Sequence, residues 1–355
     1  MFTNSYIENL GSTTAGSETG MATWDMSHVT TMNSMFYGAK KLTNIDAMSN
    51  WTTSSLTDTA YMFDEATALT SNAAMAGWDM SHVTTMEHMF CSASSLSDIS
   101  GVATWTLTSL ENADSMFRYN KMTNLDALTN WYTPKLKSMN YIFQNATRLT
   151  DISGLAGPHW NTNTSNMTAM EGIFYNVTQI TDVDDIAGWD VSNVTNMYAM
   201  FRGTTSLQNV DGLASWNTSK LSTMACMFYG TTSLSDITGI SGWFNNADTS
   251  TLTQLTYVFQ GNTALTNLNA LANWKTPKLW TLQRAFYGMT ALTDISGIRN
   301  WDTSKVTNMS EAFYNDAAIT TLEPIYDWDT TKLNNMADTF TGIPDTITRP
   351  SWYEE

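Results

Sequence analysis

Carboxylates recur at fixed places along this sequence, and their spacing is the first guide to what chemistry it can do. In a seven-residue segment reading LTNIDAM from Leu42, LTDISGL from Leu149, LSDITGI from Leu234 and LTDISGI from Leu292, acids fall at the third and fifth positions. The third holds Asp98, Asp151, Asp182, Asp236 and Asp294, interleaved with Asn44, Asn124, Asn209 and Asn267; the fifth holds Asp46, Asp126, Asp184, Asp211 and Glu323. Two such ladders suit recognition of a cationic or hydroxyl-rich partner, and they also suit plain solubility of an exposed sheet. Calcium needs roughly six to eight converging oxygens, which single carboxylates about 4.8 Å apart do not supply. Tyrosines form a second candidate set: Tyr37, Tyr175, Tyr229, Tyr287 and Tyr314 each directly follow a Phe, at a position where Arg118, Arg202, Gln144 and Gln260 also occur. That exchange reads as a solvent-facing column able to stack on a sugar or anchor a protein contact.

Other residue types point to packing. The methionines at Met32, Met86, Met197, Met224 and Met309 share the spacing of core residues and read as filler rather than soft-metal ligands. His28 and His82 share a column with no Cys or third His near them, so no metal site is expected. Lys220, Lys278, Lys305 and Lys332 read as a solvated basic column. No Ser-His-Asp set, phosphate loop, Cys beside a His, or acid pair isolated in an apolar setting stands out, so the expectation is a protein that is not an enzyme and takes no cofactor.

The elements that position these residues follow from a tryptophan that returns about every 27 residues, at Trp24, Trp51, Trp78, Trp105, Trp131, Trp160, Trp189, Trp216, Trp243, Trp274, Trp301 and Trp328. After each come Val or Leu, Met, a Phe column from Phe36 to Phe340, then Leu or Ile. Twelve copies of one short unit imply a repeat solenoid, since no unit of this size buries its apolar face alone. The expected coil is leucine-rich-repeat-like and right-handed. The LTNIDAM segments stack as a long parallel β-sheet on one face, and short helical or extended turns form the other. The third and fifth positions then point out from a concave sheet face. Gly101, Gly154, Gly212, Gly239 and Gly297 are read as tight bends out of the strand. Residues 1–23 read as an N-terminal cap, 24–340 as the solenoid and 341–355 as a C-terminal cap. Extra residues near Gly157–His159, Asn161–Asn166 and Phe244–Thr251 place insertions on the Trp edge.

The repeat W-[DN]-x-S-x-[VL]-T-x-M-x-x-M-F followed by G-x-x-[SA]-L-x-x-[IL] resembles that of bacterial BspA-like leucine-rich-repeat surface proteins, in their Trp-Asp-x-Ser form, over about residues 15–345. The resemblance implies a solenoid displayed outside a bacterial cell and used in adhesion to host matrix, mucus or other microbes. Members often carry a Cys beyond the Phe where this chain has Ala39, Ala66, Ala93, Ala146, Thr204 and Thr231, so here that column is only a small-residue packing site. The resemblance brings no family-wide functional residues with it.

Composition narrows the partners. Acids outnumber bases 33 to 16, for a formal charge of −17, which argues against nucleic acid and anionic lipid. Cys91 and Cys226 are five coils apart, about 24 Å at the spacing of stacked strands, and are expected to stay unpaired. No basic-then-apolar leader opens the sequence and no apolar run approaches a membrane span, so for an exported protein the sequence reads as a trimmed piece with no direct membrane insertion. The expected function is a non-enzymatic extracellular adhesin or binding module, monomeric in isolation, that recognises a host glycoprotein, matrix protein or glycan, or another microbe's surface protein or glycan. The rivals are a structural stalk and, through Thr columns such as Thr30, Thr57 and Thr84, binding to ice or another crystal surface.

Overall fold

A computed structural model of the protein describes residues 2–10, 20–246, 248 and 250–353. Parts of the two expected caps and of the third insertion therefore lie outside the described residues. The chain divides into two compact units, Met1–Met167 with Gly188–Asp190, and Thr168–Ala187 with Val191–Glu355. In each unit one coil stacks on the next, as the period demands.

Coils are joined by their aromatic columns. In the first unit Phe36, Phe63, Phe90, Phe117 and Phe143 stack with ring centroids 5.5 to 6.4 Å apart and interplanar angles of at most 7°. In the second unit, Phe174, Phe201 and Phe228 continue the pattern at 5.7 and 5.8 Å. Each such pair adds roughly 0.5–1.5 kcal/mol beyond the burial of its area. The tryptophans stack more loosely, but most of their indoles also find a hydrogen-bond acceptor in the preceding coil, while Trp160 donates to Gly154 six residues earlier. Trp51 Nε1 donates to the Met21 carbonyl at 2.9 Å, Trp78 to Met48 at 3.0 Å, and Trp216 to Ile186 at 3.1 Å. A buried indole needs such an acceptor, and in most coils the residue three places before the previous Trp supplies it; Trp189 uses Leu155 instead, five before Trp160. Trp352, outside the twelve-copy pattern, makes the same bond to Ile325 at 3.1 Å and lies against Phe340.

The segment after each Trp is a run of consecutive turns. Met35, Tyr37 and Ala39 donate their N–H groups three residues back, to Met32, Ser34 and Phe36. The alternating N–H groups of Met32, Ser34, Phe36 and Gly38 point to Asp58, Ala60, Met62 and Asp64 of the next coil. Half of these donors thus close turns and half join coils, so this run of N–H groups is satisfied without a continuous strand. The geometry requires two left-handed residues per coil, for example Ser34 (φ 56°) with Gly38 (φ 67°) and His88 (φ 56°) with Ser92 (φ 54°).

The expected long parallel sheet is reduced to parallel single-residue bridges. One line of bridges passes through Thr31, Asp58, Thr85, Asn112 and Ser138, and a separate bridge pairs Asn124 with Asp151. The cause is chemical. The Asx side chain at the third position accepts the backbone N–H two residues on, as Asp151 does from Ser153 at 2.9 Å. The chain therefore turns into a 3-10 helix, here Ser153–Ala156, instead of extending the ladder. The fifth position falls at the start of that helix, with Asp126 opening Asp126–Leu128 and Asp211 opening Asp211–Leu213.

The glycines just inside these helices serve close approach between coils and do not make a bend. A Cβ on Gly239 would stand 1.9 Å from the Val210 carbonyl oxygen, and on Gly297 1.8 Å from that of Leu268. The insertions have structural roles as well. One forms the short α-helix Trp160–Thr164, whose buried Asn163 accepts from the Thr133 N–H and donates to the Trp131 carbonyl. Another places Phe244 edge-on against Trp274 at 5.0 Å. No helix among the described residues is long and apolar enough to cross a membrane.

Candidate functional site

The carboxylates of the third-position ladder sit in turns. Asp98, Asp182, Asp236 and Asp294 accept the N–H of Ser100, Asp184, Thr238 and Ser296 at 2.9, 3.4, 2.8 and 2.8 Å. Asn124 and Asn209 do the same for Asp126 and Asp211, each at 3.2 Å. Asn serves where Asp serves, so the column is held by an acceptor oxygen and its negative charge is incidental to the turn. The Ser153 N–H and then its side chain hold the Asp151 carboxyl below the usual range, and Ser296 does the same for Asp294. At the fifth position Asp126, Asp184 and Asp211 stay exposed. The turn after Trp works the same way: Asp25, Asp79 and Asp302 accept from Ser27, Ser81 and Ser304, each at 3.0 Å.

Hydroxyls on the neighbouring columns donate from coil to coil. Thr57 Oγ1 reaches the Thr30 carbonyl at 2.9 Å, Thr84 reaches Thr57 at 3.2 Å, and Thr195 reaches Thr168 at 3.1 Å. Donors committed in this way are poorly placed to order a lattice of water.

The tyrosine column behaves differently from its expected solvent-facing form. Tyr37, Tyr175, Tyr229, Tyr287 and Tyr314 are all half-buried. In the second unit the Arg202 guanidinium lies 5.1 Å from the Tyr175 ring centre and 4.4 Å from that of Tyr229. Arg284 lies 5.7 and 5.3 Å from Tyr257 and Tyr287, pairs with Glu311 at 2.7 Å, and is followed by Tyr287 stacked on Tyr314 at 4.8 Å. Two sandwiches of cation and aromatic ring therefore present fixed edges along one side of this unit. Tyr198, 37% exposed, stands on the same run of turns.

The first unit brings together residues that the sequence reading kept apart. Asp64 occupies the Tyr column, while His88 and Cys91 stand one coil further on, His88 on the first left-handed position and Cys91 on the Tyr column. Backbone bonds from Phe63 to Met89 and from Glu65 to Cys91, at 2.8 and 2.9 Å, clamp the two coils together here. His88 Nδ1 lies 3.6 Å from Asp64 Oδ2. The Asp64 carboxylate, then the Cys91 sulfur, hold the His88 ring up at about 9. Tyr61 stacks on the imidazole at 4.8 Å and donates its hydroxyl to Glu87 at 2.9 Å. A Cys does stand beside a His after all. The signal that could have found it was the column register: Asp64 and Cys91 are 27 residues apart. Cys226 is buried on the same left-handed column as His88, and burial pushes its thiol up.

Comparison with known proteins adds a family. A family model described as "Mycoplasma protein of unknown function, DUF285" matches residues 6–131, 70–162, 158–267 and 253–346. No curated protein matches the sequence. Among solved structures, a leucine-rich cell surface protein from Faecalibacterium prausnitzii is similar at 16% identity, over 86% of this chain and 68% of that one, with a TM-score of 0.43. A leucine-rich repeat protein from Bacteroides ovatus is similar at 12% identity, over 94% and 84%, with a TM-score of 0.45. One from Eubacterium ventriosum is similar at 13%, over 86% and 85%, with a TM-score of 0.41.

Proposed function

The chain belongs to the DUF285 family, and from that premise we propose that it is a non-enzymatic binding module of a bacterial cell surface, recognising a partner's surface protein or glycan. The observation that carries the reading is the strip of tyrosine and arginine along the second unit, Tyr175, Arg202, Tyr229, Tyr257, Arg284, Tyr287 and Tyr314. Side chains vary along this strip while the backbone beneath them repeats. Tyr and Arg are the residue types that concentrate binding energy at interfaces. Their stacking also fixes rotamers in advance, which lowers the ordering cost of binding. The acid ladder supports the reading less, because its third-position members already serve their own turns.

The test is a glycan and extracellular-matrix protein array probed with the intact chain, with Arg202→Ala plus Tyr229→Ser, and with Asp182→Asn, Asp184→Asn and Asp211→Asn combined. The expected result is selective binding by the intact chain, at least tenfold weaker in the strip variant and kept in the acid variant. Loss in the acid variant alone would move recognition to the carboxylate side. No binding by the intact chain would leave the stalk reading in its place.

A further inference from the structure

We propose that Asp64, His88 and Cys91 form a binding site for a divalent transition-metal ion of the zinc class, with a fourth position open to solvent. Their ligand atoms all lie within 4.8 Å of one another, and among the described residues no other three His, Cys, Asp or Glu side chains converge in this way. A tetrahedral zinc site with bonds of roughly 2.0–2.3 Å places its ligand atoms roughly 3.3–3.8 Å apart. The 3.6 Å between His88 Nδ1 and Asp64 Oδ2 already falls in that span.

The donor set has the right chemistry. Imidazole nitrogen and thiolate are the preferred zinc ligands, and a carboxylate completes many three-ligand sites. The shell around the trio is built as well. Stacking against Tyr61 fixes the plane of the imidazole, and the Tyr61 hydroxyl is itself anchored on Glu87. Asp114, whose Oδ1 accepts from the Asn140 N–H at 2.6 Å, adds a further carboxyl in the neighbourhood of Glu87 and His88. Asp64 and Cys91 are buried and His88 is half-buried, so the His88 side is the route of access to the trio.

This site is independent of the tyrosine strip, which lies in the other unit. Cobalt(II) is the probe, because its bond to a thiolate gives a charge-transfer absorption that reports sulfur ligation directly. The reduced full-length chain is titrated with cobalt and then with zinc as competitor. The expected result is one equivalent of cobalt with the thiolate band, displaced by zinc. The band persists in Cys226→Ser, disappears in Cys91→Ser, and needs at least tenfold more cobalt in His88→Gln and Asp64→Asn. Far-ultraviolet circular dichroism verifies that each variant is folded, and zinc protection of Cys91 from alkylation in the unmodified chain gives a second readout free of any substitution. Absence of the band in the native chain, its persistence in Cys91→Ser, or its loss in Cys226→Ser would each overturn the assignment.

Discussion

At the scale of single residues, two aspartates that look alike in sequence carry opposite pH signatures. Hydrogen bonds from Ser296 hold Asp294 below its ordinary range. Its contribution to stability is therefore present above that range and is lost as pH falls through the folded value. Replacing Asp294 by Asn should cost little near neutral pH, because Asn267 fills the same role one coil earlier. Replacement by Ala should cost about 1 kcal/mol, the usual worth of such a turn or cap acceptor, read as a shift in urea midpoint. Asp316 is the converse. It accepts from Met289 at 2.7 Å while its other oxygen has no partner, and burial pushes its carboxyl well above the usual range. Stability is then fully present below the ordinary carboxylate range and is lost as pH rises toward the folded value. Asp316→Asn should remove that loss and gain roughly 1–3 kcal/mol at pH 7, measured by denaturation between pH 4 and 8. Asn120 and Asn262 already occupy the equivalent place in other coils and donate to neighbouring oxygens there, so the amide fits.

At the scale of the element, the glycine inside the 3-10 helix sets how closely coils approach. Gly239→Ala should lower stability by roughly 1–3 kcal/mol, since the added methyl meets the Val210 carbonyl. Gly288→Asn should cost under about 1 kcal/mol: nothing lies within 4 Å of its Cβ position, and Asn315 holds the same left-handed conformation one coil on. The two glycine columns therefore differ in physical role, which their sequence identity hides. Much else was legible. Trp, Phe and Leu recur because they are the buried contacts between coils, so the repeat, the coil boundaries and the family resemblance followed from their period. The strand did not follow, because Leu42 and Ile45 are three apart, a spacing that turns and strands share, and the alternation of Asp with Asn suggests a charged ladder in sequence while it marks an Asx turn in structure. The Asp64, His88 and Cys91 cluster stayed hidden for a related reason. Its members share a side of the coil only because every coil carries two left-handed residues, a conformation that His88 and Ser92 do not announce by type.

At the scale of the whole molecule, a coil is held mainly by its immediate neighbours, so stability is a property of junctions more than of a single core. Trp352 shows what the last junction in the second unit requires. Its indole bonds Ile325 and its ring covers Phe340, repeating in shortened form what most earlier tryptophans do. Trp352→Ala should speed amide hydrogen exchange in residues 325–343 about tenfold, the effect of losing roughly one hydrogen bond's worth of protection, and leave exchange at Met32–Phe63 unchanged. A uniform increase along the chain would instead mean that the array opens as one body.

The alternating N–H groups that join coils also decide how the protein answers force. Met32, Ser34, Phe36 and Gly38 all reach toward the following coil, so tension on the two ends loads one junction at a time and peels coils away in succession. Each step should release about 27 residues, roughly 90 Å of contour, and a single-molecule pulling trace should show evenly spaced, low peaks. A chain that lengthens in this way would give up coils one at a time while those still wound keep their surface intact.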